Sequence, residues 1–114
     1  MHELRIADDL SLIILEAALR EQLQKVTKVN LCVGEMVPFV PDLFETAFRE
    51  TVRGTLAEMA EVDIEKIRLK VKCLGCGNEF HPADNRFECL QCRSADLEIT
   101  HGKELFIKSI EGVK

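Results

Sequence analysis

Apolar residues recur at helical spacing in two segments and at every second position in several others, and two Cys-x2-Cys turns interrupt the later strands. These observations predict an α+β fold, two helices packed on a small mixed β-sheet with an inserted zinc-ribbon-like domain. Leu4, Ala7, Leu10, Ile14, Ala17 and Ala18 step by threes and fours, with Ile6 and Ile13 widening the stripe, so a helix of about twenty residues starts close to Met1 and fades through Glu21, Gln22 and Lys25. From Val26 the period becomes two: Val29, Leu31 and Val33 alternate with Lys28, Asn30 and Cys32 before Gly34, as in a strand with one buried face. Pro38 and Pro41 break regular structure, and Asp42 opens a second helix with Leu43, Phe44, Ala47, Phe48 and Val52 on one face and Gly54 as its stop. Val62 to Lys72 reads as a strand running directly into Cys73, carrying Ile67, Leu69 and Val71 in alternation. Beyond the cysteines, Leu97 and Ile99 alternate and residues 104–113 form another β-type segment, so the chain is expected to return to the first sheet. Residues 1–71 with 97–114 then make a discontinuous α/β domain, and 72–96 a metal-binding one.

Cys73, Cys76, Cys89 and Cys92, written C-L-G-C and C-L-Q-C with twelve residues between the pairs, carry the most specific chemistry. Each turn supplies two sulfurs, and two facing turns complete a tetrahedron suited to one structural zinc. Gly75 and Gly77 stand where positive backbone φ is often needed as thiolates wrap a cation. The rival is a redox dithiol, but such a site needs one such pair at a strand-to-helix junction, not two matched pairs. A closed four-thiolate site leaves no position for substrate, so the cluster is expected to contribute folding energy while activity resides elsewhere. Phe80 and Phe87 are expected to pack around the metal turns, and the leftover Cys32 to be a small residue in a sheet.

The 114 residues are 46% hydrophobic, enough for one compact unit with a small lobe attached. No apolar run is long enough for a membrane span, and no basic start followed by a hydrophobic run suggests a signal peptide. Thiol pairs at ligand spacing fit a reducing cytoplasm. A net charge of −5 argues against nucleic acid as the partner, since phosphate binding needs clustered Lys and Arg. In the cysteine segment Lys72, Arg86 and Arg93 are matched by Glu79, Asp84 and Glu88. The competing function class is nonetheless a zinc-ribbon module that contacts protein or nucleic acid.

Met1-His2-Glu3 sits at the start of a helix rather than on a long tail. The bulk of His2 should preserve the initiator Met, leaving the α-amine, the His2 amide nitrogen and the His2 imidazole close together. That nitrogen-rich set favours square-planar Ni(II) or Cu(II) over Ca(II) or Mg(II). An α-amine normally titrates at about 7.7–8.0 and an imidazole at about 6.5, so metal competes with protons at neutral pH. The Glu3 carboxylate offsets the positive end of the helix dipole that opposes a cation. The residues alone leave open a plainer reading in which His2 is solvated and Glu3 only complements the dipole.

Taken together, the chain resembles the HypA/HybF family of nickel metallochaperones. The resemblance is carried by M-H-E-L at 1–4, V-G-E at 33–35, V-P-D and the following helix at 40–48, G-T-L-A-E at 54–58, both cysteine pairs and K-S-I-E at 108–111. It implies Ni(II), as transferred cargo, held by the Met1 α-amine and His2 with Glu3 supporting, and structural Zn(II) held by Cys73, Cys76, Cys89 and Cys92. It also implies a nickel-binding α/β domain beside a zinc domain and work in [NiFe]-hydrogenase maturation, with urease served in some relatives. The implied partners are a GTP-hydrolysing nickel accessory protein and the hydrogenase large subunit. The chain has no G-x-x-x-x-G-K-[ST] loop, so it is expected to be no enzyme, with GTP hydrolysis left to the partner. It departs from relatives that carry His beside the cysteine turns: Gly77-Asn78 and Arg93-Ser94 stand there, while His81 and His101 are expected to be exposed loop residues.

Overall fold

A computed structural model describes residues 2–83 and 86–114, with His2 described through its backbone alone. The order is α1 (His2–Arg20), β1 (Lys25–Gly34), α2 (Pro41–Thr51), β2 (Glu61–Ile67), β3 (Lys70–Cys73), β4 (Glu79–Phe80), β5 (Leu97–His101) and β6 (Leu105–Val113). The strands form two three-stranded sheets, ordered β2-β1-β6 and β4-β3-β5. The chain divides into two compact units: one of Met1–Cys32, Pro38–Glu65 and Phe106–Lys114, the other of Val33–Val37 and Lys66–Leu105.

The first unit is built by the helical stripes. Ala7, Leu10, Ile14 and Ala18 of α1 meet Val26, Val29 and Leu31 of β1 and Phe44, Phe48 and Val52 at α2 in one buried cluster. The Phe39, Phe44 and Phe48 rings form a run with centroids 5.1 and 5.6 Å apart. At α1 the stripe is narrower than expected, because Leu4 and Ile13 point out at 44% and 53% exposure. The helix ends where Gln22 takes φ 59°, and the Leu23 N–H reaches back to the Ala18 carbonyl. Pro41 opens α2, where its missing N–H costs nothing.

In β1 the expected one-sided alternation gives way at Leu31, beyond which both faces are buried. β1 is the central strand of its sheet, and Cys32 lies at 3% exposure with its thiol against the Glu65 carboxylate at 3.7 Å. Contacts Gln24 to Val113, Thr27 to Glu111 and Asn30 to Ser109 run in opposite directions along β1 and β6, which makes that pair antiparallel.

In the second unit the continuous strand expected from Val62 to Lys72 is divided. Ile67 ends β2 and Lys70 begins β3, which belongs to the other sheet. Glu35 makes the division: its N–H donates to the Ile67 carbonyl at 2.8 Å, and its carboxylate accepts the Leu69 N–H at 2.7 Å, supplying by side chain what a ladder would have supplied. The return to the first sheet is made by β6, whereas Leu97 and Ile99 stay in β5 beside β3, with Val71 opposite Ile99 and Cys73 opposite Leu97. Gly34 and Gly102 pass each other closely here; a Cβ on Gly34 would come within 2.2 Å of the Gly102 carbonyl.

Glu104 closes this junction. Its own N–H and that of Gly102 hold its carboxyl below the usual carboxylate range. A depressed folded pKa adds stability above the unfolded pKa and loses it as pH falls through the folded value. Glu104→Gln is therefore expected to make the denaturation midpoint less pH-dependent between about pH 6 and 3 than in the parent protein, a difference read by parallel urea titrations.

Candidate metal centre

The turn from β3 to β4 carries one Cys-x2-Cys pair, and the loop between β4 and β5 supplies the other. The two turns share a backbone design. Gly77 N–H donates to the Cys73 carbonyl at 2.8 Å, and Arg93 N–H to the Cys89 carbonyl at 2.9 Å; both donors have positive φ, 81° and 61°. Gly77 meets the expectation of a left-handed residue after the first pair, while in the second turn Arg93 takes that conformation despite its side chain. Gly75 is not among the left-handed residues; a Cβ there would approach the Cys73 sulfur and Ser94 at 3.5 to 3.7 Å.

All four sulfurs lie within 4.8 Å of one another. Cys73 and Cys92 are 3.5 Å apart and Cys76 and Cys89 3.6 Å, too far for disulfides at about 2.05 Å. A tetrahedron with Zn–S bonds of about 2.3 Å has edges of about 3.8 Å, so the arrangement fits zinc in both distance and donor softness.

The electrostatics point the same way. The Cys92 N–H, opposed by burial and helped by the Gln91 N–H, draws Cys89 down to about 6. The Cys76 N–H, likewise opposed by burial, lowers Cys73. For Cys92 the Ser94 N–H acts downward, but the facing Cys73 thiol and burial outweigh it and push the group up to about 12. Cys76 is raised in the same sense: the Asn78 N–H lowers it, while Cys89 and burial raise it. In each cross-turn pair one thiol is drawn down and the other pushed up, so the pair favours holding a single negative charge, and a bound dication would favour the loss of both protons.

Around the cluster the packing is thinner than expected. Phe80 is half-buried in β4 opposite Val71, but Phe87 is 48% exposed, as are Leu74 at 55% and Leu90 at 70%, because so short a loop has no second layer to cover them. His81 is exposed as a residue, yet its Nδ1 lies 2.7 Å from the Leu69 carbonyl, which makes Nδ1 the protonated nitrogen; spacing gave no sign of this contact. His101 closes β5 and is exposed.

At the other candidate site, Met1 lies outside the described residues, and His2 is the first residue of α1. The Glu3 carboxylate accepts the Val40 N–H at 3.2 Å, just before α2. That bond ties the first turn of α1 to the start of α2, a link no sequence pattern announces. Among the described residues, no helix is long and apolar enough to cross a membrane.

Comparison with known proteins agrees with this geometry. Residues 1–112 match the family described as "Hydrogenase/urease nickel incorporation, metallochaperone, hypA". The chain is 36% identical over 111 residues to the hydrogenase maturation factor HypA of Aquifex aeolicus (strain VF5), covering 97% of this chain and 96% of that one. It is 37% identical over 117 residues to the HypA of Methanocaldococcus jannaschii, covering 96% and 94%. Among solved structures, the Ni metallochaperone HypA from Helicobacter pylori superposes with a TM-score of 0.72 at 27% identity over 97% of each chain. A second HypA solution structure superposes at 0.78, also with 27% identity, over 99% and 97%. With the fold, the four-thiol cluster and a match that runs nearly end to end, the chain belongs to the HypA family of hydrogenase maturation nickel metallochaperones.

Proposed function

We propose that the chain takes Ni(II) at its N-terminus and hands it on during [NiFe]-hydrogenase maturation, with urease as a second destination. The ligands are the Met1 α-amine and the amide and imidazole nitrogens of His2, with Glu3 in support. The observation that carries the reading is that α1 begins at His2. The first N–H groups of a helix have no intrahelical acceptor, so metal can replace the His2 amide proton without costing α1 a hydrogen bond. The Glu3 carboxylate, held by the Val40 N–H, braces the turn that presents these nitrogens and adds negative charge where the helix dipole is positive.

Zinc is the resident metal in this reading, held by Cys73, Cys76, Cys89 and Cys92 in a closed thiolate site that supplies folding energy and no catalysis. The protein breaks no substrate bond. It works in the reducing cytoplasm beside a GTP-hydrolysing nickel accessory protein, and the hydrogenase large subunit takes the nickel by ligand exchange at an N-terminal site with few side-chain ligands. Acetylating the α-amine tests the nickel site: calorimetric titration of the zinc-loaded, acetylated protein is expected to show tight nickel binding lost and zinc content unchanged. Equal binding by the acetylated and free forms would contradict it.

A further inference from the structure

The two thiols of each turn differ in their access to solvent. Cys73 and Cys89, the first of each, are 0% and 1% exposed, while Cys76 and Cys92, the second of each, are exposed. Each exposed cysteine faces a buried one from the other turn, with the Cys92 and Cys73 sulfurs 3.5 Å apart and the Cys76 and Cys89 sulfurs 3.6 Å apart. Zinc-bound sulfur is a thiolate, and thiolates that solvent reaches are the ones electrophiles attack first. The cluster therefore presents two reactive sulfurs outward and stations a second thiolate behind each.

We propose that the cluster is a hydroperoxide-responsive release site, in which Cys76 and Cys92 are oxidised and captured as Cys76–Cys89 and Cys73–Cys92 disulfides that expel zinc. The inference rests on the reading of the four thiols as the zinc site. In the first step the Cys92 sulfur attacks one peroxide oxygen: an S–O bond forms, the O–O bond breaks, and the leaving oxygen departs as hydroxide, or as alkoxide from an organic peroxide. The sulfenic acid so formed is a poor zinc ligand. Cys73 then attacks the Cys92 sulfur, forming the S–S bond and releasing the sulfenic oxygen as hydroxide. The same sequence joins Cys76 to Cys89. Four thiolates give up four electrons to two peroxide molecules, and Zn(II) leaves unchanged in oxidation state.

Release would matter structurally, because the buried apolar side chains around the cluster are few. Among the described residues of the second unit they are Val33, Leu69 and Val71 beside the buried cysteines. Peroxide would convert a folded, zinc-held unit into a cross-linked one with its metal gone, and a thiol reductant would restore the ligands.

The sequence provides a direct assay. Trypsin cuts after Lys72, Arg86 and Arg93, placing Cys73 and Cys76 on one peptide and Cys89 and Cys92 on another. Zinc-loaded protein, its metal content measured first, is treated with hydrogen peroxide while a chromogenic chelator reports released zinc, and the peptides are mapped without reduction. The expected result is one zinc released per two peroxides consumed, with the two cysteine peptides joined. In Cys92→Ser the remaining bridge should be Cys76–Cys89. Brief N-ethylmaleimide treatment of the untreated zinc form should label Cys76 and Cys92 before Cys73, Cys89 and the buried Cys32, a readout that does not depend on a variant folding. Separate peptides with a disulfide inside each turn, zinc retained through oxidation, or first labelling at the buried thiols would overturn the proposal. A purified chain that binds no zinc would overturn the metal reading beneath it, whereas a zinc-loaded chain indifferent to peroxide would overturn the release step alone.

Discussion

Stripping the zinc is expected to unfold the second unit and leave the first folded. The reason lies in where the buried side chains are. The first unit has its own core, in which Phe44, Phe48, Ile14, Leu31, Val26, Val29 and Val52 are almost fully enclosed. The second unit holds only a few buried apolar groups among its described residues, and its loops converge on the sulfurs. Structural zinc in comparable small domains contributes about 10–16 kcal/mol of apparent binding free energy, far beyond what such limited burial supplies. Cys73→Ala should act in the same direction, because the remaining three thiolates leave one position of the tetrahedron to solvent. Amide exchange read by peptide mass spectrometry checks both. With chelator present, protection in residues 66–105 should collapse, while residues 6–20 and 41–52 retain theirs. Uniform loss across the chain, or undiminished protection near the cysteines, would contradict the assignment of fold energy to the metal.

Replacing His2 by Ala is expected to abolish tight nickel binding with zinc content and fold intact. In the proposed site the side chain supplies one of three nitrogens, and the amine and amide that remain do not complete a square plane from the protein. Among the described residues, the α1 side chains in the core of the first unit start at Ile6 and Ala7, further along the helix. The same chemistry sets the pH response. Acid protonates the imidazole and the amine, so nickel affinity should fall steadily from about pH 8 to 6, whereas the closed four-sulfur site should keep its zinc over that range. Calorimetry of parent and variant at matched pH, with metal analysis of the recovered protein, distinguishes loss of the nickel site from general damage.

What could be read from sequence follows physical range. The stripes Ala7, Leu10, Ile14, Ala18 and Phe44, Phe48, Val52 are local periodicities, and the structure buries both. The cysteine spacing is likewise local, and it brings four sulfurs together. Period two is less informative, because it tells which residues share a face and not which strand lies alongside. Leu97 and Ile99 alternate identically whether β5 joins β1 or β3, and the choice is made by the pairing of Val71 with Ile99 and Cys73 with Leu97. The division of the Val62 to Lys72 segment was hidden for a similar reason, since it depends on Glu35, more than thirty positions away, whose carboxylate takes the Leu69 N–H. Exposure of Ile13 and Phe87 is also tertiary information. The proposed N-terminal site rests chiefly on family resemblance, because three residues without a repeat carry little pattern, and the tie from Glu3 to Val40 emerges only in three dimensions.

In the proposed function one chain carries two metals in chemically distinct sites, nickel on N-terminal nitrogens and zinc on four sulfurs. X-ray absorption at both metal edges, on zinc-loaded protein with its native N-terminus and one equivalent of Ni(II), tests it most directly. The expected result is a nickel shell of nitrogen and oxygen with an imidazole signature and no sulfur, beside a zinc shell of four sulfurs at about 2.3 Å. Sulfur in the nickel shell, or zinc displaced as nickel enters, would place the cargo in the cysteine cluster and contradict the separation of roles.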